Sequence, residues 1–169
     1  ACMAAYARHY GEDEEAWRIV AVLHDFDFEM HPTLDKHPLE GAPILRARGV
    51  PEDIIYTILS HGENLQDEYP RKSLRDKALV AVDELSGLCS AVALVRPSKS
   101  IFDVDVRAVK KKWKDKAFAR AVSREDIEKF TVELGVPLDE HIARVIKALQ
   151  DAADVLGLRG NQSTVNSEP

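Results

Sequence analysis

The chain has 169 residues, 45% of them hydrophobic, which suffices for one domain around a single core. Its 23 basic and 29 acidic side chains leave a formal charge of −6, which argues against broad electrostatic capture of a nucleic-acid duplex or an anionic membrane. Cys2 and Cys89 are too few for a disulfide framework or a zinc ribbon, and neither a membrane span nor a signal peptide is legible, so a soluble, cytoplasmic protein is expected.

Residues 1–9 read as the end of a helix that begins before Ala1 and stops at Gly11. Acids in the first turn and then Trp17, Ile19, Val20, Val22 and Leu23 predict a helix over 12–24, with His24 and Asp25 at its end. A loop over 26–36 leads to a helix over 37–48, with Pro38 in its first turn and Gly49 as its stop. Pro51 opens the next, "PEDIIYTILSH", whose Ile54, Ile55, Ile58 and Leu59 form an apolar stripe that ends at His61. The polar run over 62–72 is a loop. Ser73 as N-cap, with Asp76 three residues on, starts a long helix to about Val95 that carries Asp83 among apolar neighbours. Shorter helices are expected over 105–113, 123–134 and 138–156. No alternating strand pattern and no internal repeat is visible. The expectation is therefore an all-α fold with one helical domain over 1–158 and a polar tail, 159–169, that is disordered.

The stretch "AVLHDFDFEMHPTLDKHPLEGAPIL" gathers histidines and acids at element ends. His24, His37 and His61 each fall at a predicted helix end, which is a rigid way to deliver ligands to one point. Adjacent helical positions diverge by about 100°, so His24 and Asp25 can meet a single ion only where their helix gives out. Asp83, in mid-helix, needs a compensating partner if it is buried, and a cation is one. Taken singly, each residue also has a plainer reading, as a surface histidine near a helix C-terminus or a solvated acid.

An adjacent His24-Asp25 pair closing an apolar helix, followed by Asp83 in "AVDELSGL", resembles the HD superfamily of metal-dependent phosphohydrolases. "KHPLEGAPIL" and "IIYTILSH" resemble the helices of its HDIG and HD-GYP branches that carry further histidines. The likeness spans residues 12–95 and implies an HD-domain-like helical bundle. It also implies that His24, Asp25 and Asp83 hold one metal, and that Asp25 bridges to a second held by His37 and His61. The family's first histidine ligand stands farther upstream of the pair than His9 does, so it is expected before Ala1, the alternative being that His9 substitutes.

The activity implied is hydrolysis of a phosphomonoester or phosphodiester, on a nucleotide or small phosphorylated metabolite, by a metal-activated water. The cofactor would be one or two divalent transition ions, and the ligand set does not choose among Fe, Mn, Ni, Co and Zn. Two other readings fit the same residues: a di-iron oxygenase of the superfamily, and a non-catalytic metal-binding regulatory domain.

The chain also departs from the family pattern. It reads "HDFDFE" where HDIG and HD-GYP proteins follow the pair with Gly and then Lys, and Glu68 replaces the Gly of a GYP loop, so cyclic-dinucleotide hydrolysis is not supported. Asp27 and Glu29 are candidates for orienting the catalytic water alongside Asp25, set against the reading of solvated loop acids. His31 is expected at the site mouth or on the surface, and His141 facing solvent or a neighbouring acid. The basic run over 107–120 is read as a solvated helical face anchored by Trp113 and Phe118, with phosphate binding as the alternative.

Overall fold

A computed structural model describes residues 1–160. Among them are eight α-helices and no strand: α1 Cys2–Tyr10, α2 Glu14–Leu23, α3 Ala42–Ala47, α4 Glu52–Ser60, α5 Leu74–Leu94, α6 Val106–Trp113, α7 Arg124–Leu134 and α8 Leu138–Asp151. The all-α expectation holds. Residues 161–169, the greater part of the tail expected to be disordered, lie outside the described residues, whereas Arg159 is paired with Asp154.

Local chemistry sets most of the boundaries. The Asp13 side chain accepts from the Glu15 N–H at 2.9 Å to start α2, and Ser123 does the same for Asp126 at the start of α7. Ser73 and Asp76 form a reciprocal capping box at the start of α5. Gly11 ends α1 at a φ of 70°, a left-handed conformation that costs glycine little.

Helix α5 is the axis of the molecule, with α1, α4, α6, α7 and α8 packed around it. Its sequence explains that position, because Ala78, Ala81, Leu85, Leu88, Cys89 and Val92 are buried on nearly all sides. Each large side chain among them contributes roughly 1.5–3 kcal/mol on burial, and the alanines let neighbouring helices come close.

Two expected helices are shorter than the sequence suggests. Residue types before proline avoid the helical region, so the helix over 37–48 does not run back through His37; the chain turns over 34–41 and α3 begins at Ala42. The last helix ends at Asp151 rather than near Leu156. Beyond it the chain turns back, buries Leu158, and receives the Ile101 N–H on the Leu158 carbonyl at 2.9 Å. No helix among the described residues is long and apolar enough to cross a membrane. Cys2 and Cys89 are both buried and free.

Candidate metal centre

Helices α2 and α4 end at the same place. His24 is the C-cap of α2, Asp25 follows it, and His61 is the C-cap of α4. A helix C-terminus carries partial negative charge, so two of them converging here favour a cation. The turn after α2 brings in His37, and the middle of α5 supplies Asp83.

The two oxygens of Asp25 face different groups. Oδ1 lies 3.2 Å from His37 Nε2 and 3.5 Å from His61 Nε2, and these three residues can offer atoms all within 4.8 Å of one another. Oδ2 lies 3.2 Å from His24 Nε2, which is itself 3.6 Å from Asp83 Oδ1. The structure thus brings together all five residues singled out as ligands, in two halves joined by one carboxylate.

The protons on the rings follow from their partners. His24 Nδ1 faces the Ala21 carbonyl at 3.1 Å, His61 Nδ1 faces the Ile58 carbonyl, and His37 Nδ1 faces Asp27 Oδ1 at 2.8 Å. Carbonyl and carboxylate oxygens only accept, so each Nδ1 carries a proton, and each ring in its neutral form turns an Nε2 lone pair to the cluster. His37 Nε2 and His61 Nε2 are 3.1 Å apart, and His24 Nε2 is buried with no well-aligned hydrogen bond, its neighbours being the carboxylates of Asp25 and Asp83. Facing lone pairs repel unless a proton or a metal ion lies between them, so the donor set fits a borderline transition ion. The site's preference for positive charge also shows in its pKa values. Burial opposes charge on His24, but Asp25 and Asp83 more than offset it and push its pKa up to about 10, while His24 and then His61 hold the Asp25 carboxyl well below its usual range.

Several sequence readings change. Asp27 is not a solvated loop acid: it is fully buried and bonded to His37 Nδ1, because the turn after α2 folds it inward. Its Oδ2 has no hydrogen-bond partner and occupies the space where a side chain on residue 41 would begin; a Cβ on Gly41 would stand 2.5 Å from it. Asp83, for which the sequence leaves a buried and a solvated reading open, is half exposed, because its position on α5 points into the opening beside the cluster. Glu29 is exposed, and no contact ties it to the cluster. His31 is half-buried and lines neither cavity at the cluster.

His9 is exposed at the last turn of α1, its ring beside Tyr10, away from the cluster. His141 does not face solvent. It is fully buried, its Nε2–H donates to the Ala81 carbonyl at 2.8 Å, and its Nδ1 accepts from the Tyr6 hydroxyl. In the basic run, Lys110 pairs with Asp139, Lys112 lies over the Phe118 ring, and no lysine borders the cluster.

Two cavities adjoin the cluster. One, of about 470 Å³, has mostly apolar walls from α1, α5 and the chain after α8, and meets only His24 and Asp83. The other, of about 300 Å³, meets His24, His37, His61 and Asp83, and its outer wall includes Leu34, Glu63, Glu84, Asp126 and Phe130. Burial, then the charges of Asp83 and Asp126, raise the Glu84 pKa. The acids of this wall were not legible as site residues, since nothing in their spacing links α5 to α7.

A model of the HD domain family matches residues 1–88, more than half of the chain and the part that holds every residue of the cluster. No curated protein and no solved structure matches. On the family match, with the all-helical fold and the His24-Asp25 pair in place, the chain belongs to the HD domain family.

Proposed function

We propose that the chain is a metal-dependent phosphohydrolase that cleaves a phosphate ester of a small metabolite or nucleotide. The observation that carries this reading is the facing of His37 Nε2 and His61 Nε2 at 3.1 Å above an Asp25 carboxylate whose other oxygen serves His24. His24, Asp25 and Asp83 would hold one divalent transition ion, and Asp25, His37 and His61 a second. Such ions supply Lewis acidity toward a phosphoryl oxygen and bring the pKa of coordinated water toward neutrality.

The chain's own groups do the rest. Asp27 fixes the His37 ring, and the Ala21 and Ile58 carbonyls fix the other two, so that no ring has to turn when substrate arrives. Asp25 stays anionic throughout, because its neighbours stabilise the charge. Hydrolysis adds water across the ester: the water oxygen bonds to phosphorus, the ester P–O bond breaks, and the alcohol leaves with one of the water protons.

The test is metal content together with phosphate release from a panel of phosphoesters. The expected result is binding of divalent transition metal, turnover that a chelator abolishes, and a loss of at least about a hundredfold in Asp25→Ala, since a bridging ligand should matter more than an outer-shell partner. Unchanged turnover in Asp25→Ala, or an intact panel with the metal-loaded protein, overturns the reading.

A further inference from the structure

The 300 Å³ cavity is the one of the two that meets both halves of the cluster, so a phosphoryl group seated at the cluster would direct its organic part there. The volume is at the lower end of the roughly 300–1,000 Å³ of small-molecule sites, which suits a short group. Among the described residues, no lysine or arginine lines it. Two cations beside its wall are already paired: Arg71 with Glu63 at 2.6 Å and with Glu133 at 2.9 Å, and Lys129 with Glu63. Arg71 and Lys129 each sit 5.0 Å from the centre of the Phe130 ring. Arg124, at the start of α7, gives its hydrogen bonds to the carbonyls of Phe118, Ala119 and Val122 and forms no ion pair with either acid of the wall, its charge only partly offsetting theirs at Glu84.

Glu84 and Asp126 are left. Both line the cavity, on α5 and α7, and neither has an ion-pair partner among the described residues. Anionic walls of this kind repel a substrate with further negative charge, such as a polyphosphate or a carboxylate, and attract a cation. Resting on the phosphohydrolase reading, we propose that the substrate is a phosphate monoester of a small amino alcohol, with its ammonium group held between Glu84 and Asp126 and its phosphoryl group at the metal cluster.

The experiment compares kcat/KM of the metal-loaded protein for three esters of similar size: 2-aminoethyl phosphate, ethyl phosphate and phosphoglycolate. The expected order is aminoethyl first, by about tenfold over ethyl phosphate and about a hundredfold over phosphoglycolate. In the Glu84→Gln, Asp126→Asn double variant the ratio of aminoethyl to ethyl phosphate should fall toward one. The wild-type comparison stands even if that variant does not fold. Cleavage without a preference for the amine, or a preference that the double variant leaves in place, overturns this proposal and leaves the phosphohydrolase reading standing. Failure to cleave any of the three and any other phosphoester overturns both.

Discussion

His37 meets the cluster with one ring nitrogen while Asp27 holds the other at 2.8 Å, and the carboxylate that does the holding is fully buried. A carboxylate behind a metal-binding imidazole fixes the ring and raises its basicity, and its loss typically weakens metal binding by 10–100-fold. Asp27→Asn keeps an oxygen for the Nδ1–H but loses the charge, so its metal affinity should drop within about that range, measured by competition with a chelator. An affinity equal to wild type would mean that Asp27 serves only to fill space. Its role had no signature in the sequence. A polar residue in a turn looks solvated until the fold decides which way the turn faces, and Gly41, whose missing side chain leaves room for Asp27, is fourteen positions on in a different turn. His24, Asp25 and His61 were legible for the opposite reason: each sits where an apolar helix visibly ends. His141 could have been read better, since it shares a face with Val145, Ala148 and Leu149, the buried stripe of α8.

Between α4 and α5 the cluster depends on how two helices are joined. Asp76 is buried at the start of α5, where it accepts from the N–H groups of Lys72 and Ser73 at 3.0 and 2.9 Å and from the Thr57 hydroxyl of α4 at 2.7 Å. One carboxylate thus caps α5 and ties it to the helix that delivers His61. Asp76→Ala leaves those donors without an acceptor and should cost about 2–4 kcal/mol, read as a lower urea midpoint. The same variant should also bind metal more weakly, because His61 and Asp83 come from the two helices it uncouples. A loss below about 0.5 kcal/mol would show that water replaces the carboxylate there. The capping half of this arrangement was plain from "SLRD". The Thr57 half was not, because a cap announces a helix start and says nothing of the neighbouring helix it will touch.

At the scale of the whole molecule, His141 links α8 to α5 and, through Tyr6, to α1. Burial holds its pKa below the ordinary 6.5, with the Ala81 carbonyl partly opposing this and Arg144 adding to it. Its neutral form is the folded one, so its contribution is complete above pH 6.5 and is lost as pH falls below that value toward the lower folded pKa. Urea midpoints of wild type and His141→Gln across pH 5 to 8 should therefore differ by an amount that shrinks on the acid side. Taking the difference removes His24, whose raised pKa acts in the opposite sense in metal-free protein. The five cluster residues, lastly, come from four separate stretches of chain: the end of α2, the turn before α3, the end of α4 and the middle of α5. An ion there would act as a clasp, closing the loops between those stretches and drawing the free energy of its binding into the stability of the fold. The turns over 26–36 would feel it most, being irregular chain held between two cluster residues, Asp25 and His37. Limited proteolysis should cut there readily in chelator and slowly after metal is restored, while the α7–α8 half of the molecule is cut at the same rate in both.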